Sequence, residues 1–327
     1  MALRNFFIYL LTILCLVGFA SWHFLFGFEK GIETKEFNKQ KNSIWISSAW
    51  LDTDFDFLEI HSLIKDLESL GVTNVFVSVG SLDVKGEIPE YRYVFASQFL
   101  SRARSINNEI QFLAWISQDE KRVNLNDMAT RRNILRTSGV FVQELGFDGI
   151  HFYPQGFGED SDLFVSFLSE LKQEITPAQL SIAVSPSFPG YTLEIAKIFG
   201  SEPKRKSEIA DLRSFYAFAD QIVLITSDQG VNSVWFYEWL LKHSVVYVSR
   251  NFSEPKFVYT LPSSGNLDLG GKSKIANMQT TFSGVISGLN SRRTKEGFFQ
   301  GLALQNHWTM NFDDIDFMRK NWNLIKK

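Results

Sequence analysis

The chain has almost no cysteine: Cys15 is the single one among 327 residues. That excludes an intramolecular disulfide and any metal centre built from cysteines. Net charge is also scarce, −3 from 33 basic and 36 acidic residues, so nothing electrostatic argues for a nucleic-acid partner. The five histidines show no His-Glu-x-x-His or similar spacing, and no metal is expected. There is no Gly-x-Gly-x-x-Gly loop, no Walker loop and no Gly-x-Ser-x-Gly elbow. Dinucleotide binding, P-loop chemistry and the serine-hydrolase elbow drop out, and no cofactor is expected. No linker or composition shift interrupts the chain after Asn42, so residues 42–327 read as one domain.

What is present begins with an apolar run. Phe6 to Phe28 carries no charged side chain other than His23, and Met1 and Arg4 place positive charge before it. A run of this length spans a bilayer as a helix. Ala20-Ser21-Trp22 is a poor cleavage exit and the apolar run continues past it. The reading is an uncleaved transmembrane signal anchor, with a cleaved signal peptide as the alternative. The amino terminus and Arg4 favour an N-terminus inside the cell, and so a membrane-anchored, extracytoplasmic domain. Lys30, Lys35, Lys39 and Lys41 weaken that orientation. Residues 29–42 are polar and charged, which makes residues 1–41 an anchor plus tether.

From Ser43 on, short β-rich runs alternate with amphipathic helical patterns. The expected strands are 44–51, 75–79, 110–116, the stretch beginning at Phe147, 180–185, 221–226, 245–248 and 301–305. The expected helices include 57–70, 128–145 (with Asn126 as its cap), 160–174, 231–243, 275–289 and 313–322. Eight strands, each followed by a helix, is the count of an α/β (β/α)8 TIM barrel. An open doubly wound sheet is the competing arrangement.

A barrel of this kind gathers chemistry at the C-terminal ends of its strands. There the sequence supplies Trp50 and Asp52, Ser81 and Asp83, Trp115 with Asp119 and Glu120, Tyr153 and Gln155, Ser227 and Asp228, then Asn306, His307 and Trp308. Indole rings stack on sugar C–H faces while hydroxyls take the polar groups, so Trp50, Trp115 and Trp308 suggest carbohydrate. Trp50 and Trp115 equally well finish a core. Asp228 reads as a catalytic or binding acid or as a solvated loop residue. His151 and His307 read as bases or as hydrogen-bonded core residues.

Phe147-Asp148-Gly149-Ile150, followed by a polar strand end, resembles the fourth-strand signature of glycoside hydrolase family 18, Asp-Gly-x-Asp-x-Asp-x-Glu. Ile225-Thr226-Ser227-Asp228 is similar to that family's Met-x-Tyr-Asp, and Trp308 falls where the family keeps a Trp after strand eight. The resemblance implies glycan binding involving Asp148, Asn306 and Trp308. It also places His151 and Tyr153 where the family has aspartates, Gln155 where it has its acid Glu, and Ser227 where it has a Tyr. The family acid protonates the glycosidic oxygen while the substrate's acetamido group attacks, an exception to the two-carboxylate scheme. Gln155 has no proton to give near neutral pH, and a tyrosine pKa near 10 makes Tyr153 a poor replacement for Asp. The leading expectation is a barrel that binds a cell-envelope glycan and has lost family-type catalysis. Two alternatives stand: an active glycosidase pairing Asp228 with Asp119, Glu120 or Glu159, and a scaffold that binds a protein partner.

Overall fold

The computed structural model describes residues 9–16, 18, 37–118, 123–154, 161–198, 200, 203, 206–227, 230–263 and 275–322. The chain divides into two compact units, Met1–Glu33 and Thr34–Lys327. In the first, residues 9–16 are helical. Among the described residues no helix is long and apolar enough to cross a membrane. Most of the Phe6–Phe28 run expected to be the anchor lies outside them.

The second unit is a closed barrel of eight parallel strands in sequential order. They are β1 (Asn42–Ile46), β2 (Val72–Ser81), β3 (Gln111–Gln118), β4 (Gly149–Pro154), β5 (Gln179–Val184), β6 (Gln221–Leu224), β7 (Phe257–Leu261) and β8 (Phe299–Leu304). The outer helices are α1 (Phe57–Ser69), α2 (Ala96–Ile106), α3 (Met128–Gly139), α4 (Ser161–Ile175), α5 (Gly190–Ile198), α6 (Ile209–Tyr216), α7 (Val234–Asn251), α8 (Met278–Leu289) and α9 (Phe312–Asn321). Several start at a side-chain cap. Asp56 and Glu59 form a capping box on α1, as do Asn311 and Asp314 on α9, each satisfying two amides the first turn would leave unpaired. Asp127, not Asn126, caps α3, accepting from Ala129 and Thr130 amides.

The expected seventh strand is wrong. Val245-Val246-Tyr247-Val248 reads as β by its branched side chains, yet it belongs to α7. Packing overrides propensity there. The adjacent α8 presents Gly284 and Gly288, and a Cβ built on Gly288 would stand 2.5 Å from Val245 Cβ. Glycine thus lets the α8 backbone close onto the Leu241 and Val245 side chains. The true β7, Phe257–Leu261, is buried throughout. Two smaller corrections apply. β1 ends at Ile46, and Ala49–Asp52 forms a helical turn, so Trp50 does not sit on a strand. The helix expected to run to residue 145 changes at Val140 into a π-turn reaching Glu144.

The barrel is filled by Trp45, Phe76, Leu113, Ala183, Val223, Ile225, Val258 and Ala303, with Trp115 and Tyr153 packed on them. Its seam, where β1 meets β8, is fastened by one side chain. Asn42 Oδ1 accepts from the Leu302 amide at 3.2 Å and from Trp322 Nε1 at 3.0 Å, while Asn42 Nδ2 donates to Leu70 O at 3.2 Å. Just before it, Asn38 Nδ2 donates to Trp322 O at 2.8 Å.

Candidate functional site

β4 carries His151 and Tyr153 on one parity, and the barrel turns that parity inward. His151 is fully buried, stacked on Phe76 at 3.7 Å between ring centroids and edge-on to Trp45 at 5.3 Å. A chain of hydrogen bonds decides its protonation. Gln221 Nε2 donates to Gln300 Oε1 at 3.0 Å and to Ser43 Oγ at 3.4 Å, so Gln221 Oε1 is left to accept the Ser181 hydroxyl at 2.9 Å. The single Ser181 proton is then committed. His151 Nδ1, 2.9 Å from Ser181 Oγ, must be the donor, which leaves the lone pair on Nε2. Burial pushes the imidazole pKa well below its ordinary value, so the ring is neutral. Its Nε2 has no partner among the described residues, and neither does Nε1 of Trp115, the residue paired with His151 across β3 and β4. Each such orphan costs about 1–3 kcal/mol.

The strand ends above this layer are polar. Ser81 and Ser117 hydroxyls meet at 2.6 Å between β2 and β3. After β6, the Thr226 hydroxyl donates to Thr260 O at 2.8 Å, and Gln305 Nε2 donates to Ser227 Oγ at 3.3 Å. Asn306 then takes a left-handed conformation, φ 57°, which turns the chain out of β8 into a short 3-10 turn, His307–Thr309. Trp308 on that turn is 48% exposed. His307 beside it is held below its ordinary pKa by burial, opposed by the charge of Asp66.

The expected site residues fall into four groups. His151, Tyr153 and Trp115 converge inside the barrel. Asn306 and Trp308 stand at the same end, after β8. Trp50 also follows a strand end, but its ring rests on Phe55 at 4.2 Å and Phe99 at 5.9 Å, a packing position beside α2. Asp148 sits at the opposite end. It precedes β4, where its Oδ2 accepts from Arg104 Nη2 at 2.9 Å and from the Phe112 amide at 2.8 Å, so it fastens β4 to β3 and α2. Gln155, Asp228, Asp119, Glu120 and Glu159 lie outside the described residues. Of the described rim acids, Asp52 is exposed and accepts from the Thr53 hydroxyl, and Asp83 accepts the amides of Lys85 and Glu87 within its own turn.

Two features escaped the sequence reading. The Ser81–Ser117 pair carries no motif. The Ser43–Gln221–Ser181–His151 network did leave a trace: polar residues recur at inward parity in otherwise apolar strands.

No protein-family model matches the chain, and no curated protein does. Solved structures do. The spore cortex-lytic enzyme SleL of Bacillus cereus aligns at TM-score 0.56 and 11% identity, over 86% of this chain and 74% of that one. A class V chitinase from Pseudomonas fluorescens Pf-5 aligns at TM-score 0.54 and 13% identity, over 85% and 98%. A chitinase from Bacteroides thetaiotaomicron aligns at TM-score 0.52 and 15% identity, over 84% and 93%. At these identities the likeness is one of fold: a glycoside hydrolase-like TIM barrel.

Proposed function

We propose that the barrel binds a glycan at the C-terminal ends of its strands and does not hydrolyse it by the family-18 route. The observation that carries this is His151. Where the resemblance expects a carboxylate, the chain has a neutral imidazole built into the core, stacked on Phe76 and tied through Ser181 to Gln221. Tyr153, two residues on, replaces the second carboxylate, and Gln155 replaces the acid. Loss of a general acid removes about two to four orders of magnitude from that contribution alone. Binding needs no proton transfer, and apolar side chains suited to stacking gather at the same end. Phe57, Leu58, Val84, Tyr91, Trp308 and Phe312 are all exposed and all follow strand C-terminal ends. The likeness in fold to chitinases and a cortex-lytic enzyme supports a carbohydrate ligand, and for this chain a cell-envelope glycan. The apolar run Phe6–Phe28 supports a membrane anchor with the barrel outside the cytoplasm.

The test is binding and turnover of chitotetraose by the full chain in detergent micelles. The expected result is binding weakened at least tenfold by Trp308→Ala, with no hydrolysis. Gln155→Glu alone should restore little activity; Gln155→Glu with Tyr153→Asp is the stronger attempt. Robust turnover by the unmodified chain, abolished by Asp228→Asn and indifferent to Gln155→Ala, would replace this reading with an enzyme of relocated carboxylates.

A further inference from the structure

The N-terminal end of the barrel, opposite the rim, opens into a basin of about 640 Å3, a volume within the range of small-molecule sites. Its composition is unusual for a barrel floor. Asn74 of β2, Gln111 of β3, Gln179 of β5 and Gln300 of β8 all line it. Four carboxamides from four strands therefore face one space.

Asn74 is the informative one. It is 4% exposed, yet its side chain has no hydrogen-bond partner among the described residues, and the same is true of Gln111 and Gln179. A buried amide costs free energy when unpaired, and more than nine in ten such groups find a partner. Here the groups face the basin instead. The carboxylates bordering the basin, Asp148 and Asp220, are already held by Arg104 and Lys172. Lys39 and Lys41 stand exposed at the edge, where water screens them. What remains open on the floor is neutral and both donates and accepts.

We infer that this basin is a second ligand site, specific for a neutral saccharide whose hydroxyl and acetamido groups pair with the carboxamides of Asn74, Gln111 and Gln179. A carboxamide offers two donors and an acceptor, the pattern a ring of hydroxyls satisfies and an isolated charge does not. The site is independent of the glycan-binding rim, from which the packed barrel interior separates it.

The experiment titrates N-acetylglucosamine, and separately glucuronate, into the full chain in detergent micelles, followed by ligand-observed NMR. Gln111→Ala with Gln179→Ala should weaken N-acetylglucosamine binding at least tenfold, and the exposed Gln111→Ala alone should weaken it several-fold with an unchanged melting temperature. Binding lost in these variants and retained in Trp308→Ala upholds the basin, whatever becomes of the rim. Binding lost only in Trp308→Ala leaves the rim reading intact and overturns the basin, which is then a solvent-filled recess. No binding in any form overturns the basin outright. Glucuronate bound as tightly as N-acetylglucosamine would overturn the neutral specificity and assign the recognition to Lys39 and Lys41.

Discussion

At the scale of single residues, the molecule keeps histidines neutral in places where water cannot reach them. Burial holds His151 far below its ordinary pKa and brings His243 down to about 4, with the Trp239 carbonyl opposing the shift. The unfolded chain has no such restraint and takes up protons near pH 6.5. The folded state therefore binds fewer protons, and stability is complete above pH 6.5 and falls as pH drops below it. Each of the two histidines contributes a slope of about 1.4 kcal/mol per pH unit. Urea unfolding at several pH values between 6.5 and 5 should show this decline, and His243→Asn should remove about one proton from its slope. A flat profile in the unmodified chain would refute the neutral, buried assignment. The resemblance in the sequence named position 151 and its parity correctly. It did not reveal what the imidazole touches, because Phe76, Ser181 and Gln221 come from three other strands and only barrel closure brings them together. Asp148 shows the opposite failure. Its motif suggested a substrate contact, while its place before the strand assigns it to the far end, bonded to Arg104. Sequence spacing defines parity; it does not say at which end of a strand a motif starts to matter.

At the scale of elements, seven of the eight strands were legible from alternation and turn residues. The eighth misreading is instructive. Val245–Val248 has strand chemistry, but its surroundings are set by Gly284 and Gly288 some forty residues later, and a local window cannot see them. That contact is directly testable. Gly288→Ala places a Cβ within 2.5 Å of Val245 Cβ, so α7 and α8 must separate, at a cost of about 1–3 kcal/mol by the usual penalty for overpacking. Gly190→Ala, at the start of α5, meets nothing within 4 Å and should leave the unfolding midpoint unchanged. Equal effects from the two substitutions, measured by chemical denaturation, would remove the close-packing explanation of why this run is helical.

At the scale of the whole molecule, the barrel count was readable and its boundary nearly so. A boundary at residue 41 cuts between Asn38 and Asn42, two side chains that both bond Trp322. Removing residues 1–36 should therefore yield a soluble barrel of undiminished stability. Removing residues 1–41 should lose the Asn38 bond, worth about 0.5–1.5 kcal/mol. The intact chain should fractionate with membranes; a soluble form in cells with a new N-terminus near residue 21 would instead establish a cleaved leader.

The bond from Asn38 to Trp322 has a consequence for the order of the chain itself. Two segments 284 positions apart in sequence lie within one hydrogen bond of each other, so the barrel has no intrinsic need to begin where it does. A circular permutant that joins Trp322 to Phe37 through a short linker, and opens at the exposed residues Glu254–Pro255 before β7, should fold to the same eight-stranded ring. Its far-ultraviolet circular dichroism should match that of the linear barrel. A permutant that fails to fold would mean that this strand order is required for assembly, and not merely inherited by it.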